Sequence, residues 1–208
     1  FSVAVYIPIN IVQSFDNPQK LQADYDCIRR QLKFDKVYIE VQRDWNLLTD
    51  EQAGRAKKFF LDHGVQVAGG MALSERNDGG QFQSFCYTDP KHRAFIQKAA
   101  ELAARHFDEV IQDDFFFITT KTDTDIAAKG DKSWAQFRMD LTCEAAENLL
   151  VKPAKAVNPK VKMIVKYPNW YEHFQGSGFD LERGPNIFDG IYTGTETRDP
   201  IITDQHLQ

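Results

Sequence analysis

The feature that most constrains this chain is a strict alternation of two apolar patterns. Short strand-like runs centred on apolar residues alternate with longer stretches whose apolar residues recur every three or four positions. The first pattern marks strands buried in a sheet, and the second marks helices with one apolar stripe. Six strand runs are expected: Val3 to Ile7, Lys36 to Val41, Val65 to Gly70, Glu109 to Asp114, Val161 to Lys166, and Gly190 to Thr195.

The intervening helices carry their own start and stop signals. Asn17-Pro18 opens one, with Leu21, Tyr25, Ile28 and Leu32 on its expected buried stripe. Thr49-Asp-Glu-Gln52 has the form of a capping box, and Gly64 closes the helix carrying Ala53, Ala56 and Phe60. Asp89-Pro90 opens the next, with Phe95, Ala99, Leu102 and Ala103 inward. Ser133 caps a segment through Trp134, Phe137, Leu141, Ala145 and Leu149, which Pro153 is expected to break or kink. Asn158-Pro159 stops it, and a last helix starts near Thr203. Ser74 to Ser84, with Asn77-Asp78-Gly79-Gly80, reads as a loop.

Such alternation calls for a parallel sheet covered by helices. An open doubly wound sheet would be complete in 208 residues. A (β/α)8 TIM barrel takes about 250, so this chain would hold about six of its eight βα units. Two features favour the incomplete barrel. No Gly-rich phosphate loop follows the first strand. Polar residues gather after most strand ends, where barrel enzymes build their sites. A single partial (β/α) barrel domain over residues 1–208 is therefore expected.

The net charge of −5 argues against nucleic acid as a partner, since phosphate backbones need a basic face. No apolar run approaches the roughly 20 residues that span a bilayer, so no membrane partner is expected. The start, Phe1-Ser2-Val3, lacks signal-peptide features, so a leader was removed or the sequence begins at a domain edge. Location stays open; it would be secreted or periplasmic if the chain acts on glycans. Oligomeric state is not legible. Cys27, Cys86 and Cys143 are odd in number and far apart, and are expected to be buried or half-buried thiols. The histidines show no ligand spacing, and no metal or cofactor is expected. Asp123 and Asp125 weakly resemble a calcium spacing but lack the loop glycine and distal Glu, and read as a solvated loop.

Asp113-Asp114 carries the strongest chemical signal. Two adjacent carboxylates at a strand end are costly to desolvate, and are tolerated where they bind a cation, cap a helix or do acid–base work. Strand residues alternate faces, so one of the two should point into the barrel. Glu196, after the sixth strand, is the natural second acid, with Arg198 placed to hold it ionised or to clamp a substrate group. Acids on strands four and six can face each other across a barrel mouth. Glycosidic cleavage wants such a pair roughly 5 to 9.5 Å apart. Glu40, in the second strand, points into the mouth or pairs with a lysine inside the barrel. Lys166-Tyr167-Pro168-Asn169-Trp170-Tyr171 combines aromatics with hydrogen-bonding groups, which suits a sugar platform. Lys166 is also a Schiff-base candidate. Phe115-Phe116-Phe117 reads as core and barrel cover.

Thr88-Asp-Pro-Lys-His-Arg93, then a helix, then Phe107-Asp-Glu-Val-Ile-Gln-Asp-Asp114 resembles the middle of TIM-barrel glycoside hydrolases. The order of acids after strands four and six is similar to the clan that includes α-galactosidases. That resemblance implies Asp113 as nucleophile and Glu196 as proton donor.

Three functions follow. The first is a glycoside hydrolase-like barrel cleaving a glycosidic bond of a carbohydrate substrate. In it Asp113 or Asp114 is nucleophile or electrostatic stabiliser and Glu196 the general acid/base. Glu40, Lys166, Asn169, Trp170, Tyr171 and Arg198 bind substrate. The second is a non-catalytic carbohydrate-binding barrel using the aromatics alone. The third is a metal-dependent lyase or hydrolase built on Glu40 and the Asp pair.

Overall fold

The computed structural model describes residues 2–76, 82–168 and 175–194. The chain runs β1 (Ala4–Ile7), α1 (Ile9–Gln13), α2 (Pro18–Gln31), β2 (Lys36–Arg43), β3 (Asn46–Leu47), α3 (Asp50–Asp62) and β4 (Gln66–Ala72). It continues with β5 (Ser74–Arg76), β6 (Phe82–Ser84), α4 (Pro90–His106) and β7 (Glu109–Gln112). Then come α5 (Asp123–Lys129), α6 (Trp134–Ala145), α7 (Lys152–Val157), β8 (Lys162–Tyr167) and β9 (Gly190–Thr193).

Six strands, β1-β2-β4-β7-β8-β9, pair in chain order, and every pair is parallel. This order decides between the two architectures. A doubly wound sheet reverses direction at a switch point. Here each strand lies beside its predecessor, the arrangement that curls into a barrel. The domain is an α/β half-barrel of six parallel strands, an incomplete (β/α)8 barrel.

Alternation along the strands separates two faces. Val37, Ile39, Val41, Val110, Met163 and Val165 join the large core shared with the helices. Tyr38, Ala68, Ile111 and Ile164 form a small inner cluster, with Tyr6 packed on it. Lower on the inner face, Tyr38 Oη lies 2.6 Å from Glu109 Oε1 and 2.7 Å from Tyr192 Oη.

Several expectations change. Of the two outcomes expected at Pro153, a break or a kink, the break does not occur. A π-helical turn over Ala146–Val151 sits before it, between α6 and α7. Proline lacks an N–H and crowds the carbonyl four residues back, and a widened turn removes both conflicts. The Ser74 to Ser84 stretch is not all loop, since β5 and β6 pair antiparallel at its two ends. On α2, Leu21 and Tyr25 are buried but Ile28 and Leu32 are exposed. Tyr25 docks edge-on against Phe59 of α3, which turns the far flank of the stripe outward. Cys27 is exposed, Cys86 buried and Cys143 half-buried. Asp125 is buried rather than solvated. It accepts from Thr88 Oγ1 at 2.7 Å and from Thr122 N–H at 3.0 Å, closing the N-terminus of α5. Phe115, Phe116 and Phe117 are buried, as expected of a barrel cover. The helix anticipated near Thr203 lies outside the described residues. No described helix is long and apolar enough to cross a membrane.

Candidate active site

The site is assembled where the strands end. β7 stops at Gln112, so Asp113 and Asp114 stand in the turn beyond it. Asp113 stays in line with the sheet, donating its N–H to Met71 O on β4 at 2.9 Å. The Asp114 N–H instead bonds Asp113 Oδ1 at 3.0 Å. Lys166 on β8 reaches across and donates to Asp113 Oδ1 and Asp114 Oδ2, each at 3.0 Å. The two carboxylates therefore converge on one ammonium. Strict alternation would have sent them to opposite faces, but the strand ends before it can apply. Exposure still separates them: 17% of the Asp113 side chain is accessible and 2% of Asp114.

Burial pushes the Lys166 pKa down, but Asp113 and Asp114 together outweigh it and leave it raised. Lys166 is thus an ammonium at neutral pH. A Schiff-base lysine must be neutral to attack, so the geometry argues against that role.

The second half of the mouth is built around Glu40, which has no exposed surface. It does not pair with a lysine, as one sequence reading had it. Its carboxylate accepts from Tyr6 Oη at 2.9 Å, from the Ile9 N–H at 2.7 Å and from Arg43 Nη2 at 2.7 Å. Arg43 Nε adds a bond of 3.0 Å to each oxygen. This saturation makes a buried charge tolerable. Burial drives the Tyr6 pKa well above its ordinary value, with Glu40 and then Asp113 adding to it. Burial opposes the Arg43 charge, and Glu40 reverses this and leaves its pKa raised. Asp113 contributes to both shifts, so the Glu40 and Asp113 groups share one electrostatic field. The Arg43 guanidinium also lies 5.6 Å from the Phe115 ring centre.

Gly70 makes this packing possible. A Cβ there would stand 2.6 Å from the Tyr6 ring. Gly70→Ala is therefore expected to push Tyr6 off Glu40 and to cost about 1–3 kcal/mol, read as a lower melting temperature. A fully stable Gly70→Ala protein would show that Tyr6 has room to move.

A register shift between Glu40 and Gln42 moves Gln42 off the face that Glu40 occupies and into line with Met71. Met71 is in turn in register with Gln112. Gln42 and Gln112 are fully buried, and their Nε2 groups donate to Asp44 O at 2.7 Å and Asp113 O at 2.9 Å. They brace the backbone of the mouth. Sequence reasoning assigned no role to Tyr6, Arg43, Gln42 or Gln112. The available signal was a Tyr in an apolar run, since a buried phenol needs a partner.

Of the expected site residues, the structure brings Asp113, Asp114 and Lys166 together, with Glu40 in the adjoining cluster. Asn169, Trp170, Tyr171, Glu196 and Arg198 lie outside the described residues. Among the described residues, no group of three or more His, Cys, Asp and Glu side chains is placed to hold a metal ion. The three mouth acids are each engaged by a cation instead.

Comparison with known proteins agrees with the barrel. An uncharacterised protein of Saccharolobus solfataricus, SSO3021, is 29% identical over 226 residues, covering 96% of this chain and 38% of that protein. The chain thus spans well under half the length of that relative. A structure of a mutant of P. fluorescens subsp. cellulosa xylanase A in complex with xylopentaose aligns with a TM-score of 0.52 at 14% identity. That match covers 100% of this chain and 64% of the xylanase chain, and it supports the fold. The family model for a probable glycosyl hydrolase catalytic domain matches residues 1–208. The chain belongs to that family, as a glycoside hydrolase-like (β/α) barrel domain.

Proposed function

We propose that the domain cleaves a glycosidic bond, using Asp113 and Glu196 as its two working acids. The observation that carries this reading is the Asp113–Lys166–Asp114 triad at the strand-end mouth. Asp113 is the more exposed acid and accepts a proton-bearing partner, which suits a nucleophile or base. Asp114 is enclosed and helps hold Lys166 in place. A glycosidase also needs a donor that is protonated near its working pH, in a drier setting than its partner. Glu196 takes that role in this reading. Glu40 positions Arg43 from behind, and Asn169, Trp170, Tyr171 and Arg198 contact the sugar. The family assignment and the oligosaccharide bound by the xylanase neighbour support a carbohydrate substrate.

The test uses the full-length protein and a panel of aryl glycosides, followed by Lys166→Met on whichever substrate turns over. Loss of the ammonium should lower kcat and move the acid limb of the pH profile to higher pH. Carboxylates that lose a cationic partner bind protons more readily. A profile unchanged in Lys166→Met would count against the triad as the catalytic centre. A panel with no turnover, alongside measurable glycan binding, would favour the carbohydrate-binding reading.

A further inference from the structure

Three cations surround one indole on the rim of this mouth. Trp134 is the first residue of α6, and helix starts in a βα barrel lie on the same side as the strand ends. Lys121 Nζ is 5.5 Å from a ring centre of Trp134, Lys129 Nζ 5.6 Å and the Arg138 guanidinium 5.2 Å. One aromatic quadrupole attracts each cation, but the cations repel one another.

No carboxylate among the described residues forms a direct ion pair with these three; the buried Asp125 attracts Arg138 from a distance, and the two lysines have no such partner. Elsewhere on the surface the usual arrangement is a pair, as in Lys58 with Asp62 or Lys132 with Asp140. Lys129 donates only to backbone, the Gly130 and Lys132 carbonyls at 2.9 and 2.6 Å. Arg138 likewise donates to the carbonyls of Gly176, Thr119 and Thr120. Its Nε is buried and has no partner among the described residues. The carbonyls that Arg138 meets belong to the loop that follows Asp113-Asp114 and to the segment after β8. The cluster therefore joins the two loops that frame the triad. It stands in a chain whose net charge is −5, so general anion attraction does not explain it.

We infer that this rim is a subsite for an anionic sugar, one carrying a hexuronate carboxylate or a sulfate ester. The anion would sit beside Lys121 and Lys129 at the Trp134 edge and supply an ion-pair partner that neither lysine has among the described residues. The choice of a sugar as ligand rests on the glycosidase reading of the mouth; the anion site itself does not.

The test measures binding of the full-length protein by titration calorimetry. One pair of probes is oligogalacturonate and its methyl ester. The other is sulfated carrageenan oligosaccharides and their desulfated counterparts. The charged member of at least one pair should bind about tenfold more tightly than its neutral partner, with the gap closing as salt is raised. Lys121→Gln/Lys129→Gln should abolish the preference and leave neutral binding unchanged. Asp113→Asn should keep it. No preference in either pair, or a preference that survives the double substitution, overturns the inference. A preference lost in the double variant, in a protein that hydrolyses nothing, leaves the subsite standing and removes the hydrolase reading instead.

Discussion

Asp113→Asn, made in the full-length protein, should reduce kcat by about 10²–10⁴-fold while the protein stays folded. The amide keeps the size of the carboxylate and can still accept from Lys166 through its oxygen. What it loses is the charge that, in the proposed mechanism, attacks or accepts a proton. Asp114→Asn should behave differently. On the proposed assignment its side chain, 2% exposed against 17% for Asp113, acts through Lys166, so its effect on turnover should be several-fold and indirect. Both variants are compared on one substrate, with thermal melting as the check on folding. Equal, mild effects would sink the assignment. A larger loss from Asp114→Asn would invert the two roles.

Glu40→Ala should have the largest effect on stability. It strips the acceptor from Tyr6 Oη, from the Ile9 N–H and from Arg43 together. Removing one partner of a buried ion pair costs about 3–5 kcal/mol, because the other charge is left uncompensated. For a domain of this size that corresponds to a fall in melting temperature on the order of 10 °C. Glu40→Gln keeps the shape and two neutral hydrogen bonds, and should lose less. Measured by thermal unfolding, a wild-type melting temperature in Glu40→Ala would show that the bonds from Tyr6, the Ile9 N–H and Arg43 to Glu40 do not stabilise the fold.

The architecture was legible because it depends on pattern. Six apolar runs separated by capped helices leave few topologies, and the structure has all six as parallel strands in chain order. The capping box at Thr49 and Gln52 forms as expected. What escaped were places where one local feature overrides a period. Pro153 looks like a breaker until a π-turn absorbs it. Gln42 looks like a face-mate of Glu40 until the register shift turns it away. Asp113 and Asp114 look like opposite faces until the strand ends two residues too soon. For the site, sequence could mark charged residues near strand ends but not their partners. Arg43 was visible beside Glu40, yet nothing local shows that Tyr6, 34 residues away, completes the same cluster. The convergence of Lys166 on two acids 52 and 53 residues earlier is likewise a property of the parallel pairing of β7 and β8.

The most direct measurement is the separation of the Asp113 and Glu196 carboxylates in a crystal structure of the full-length protein. Glycosidic cleavage by this pair predicts a gap of about 5 to 9.5 Å across the mouth. The short end of that range, about 5–5.5 Å, marks a retaining enzyme, and about 6.5 Å or more an inverting one. A gap well beyond it, or a Glu196 carboxylate pointing away from Asp113, would contradict the pair as the catalytic acids.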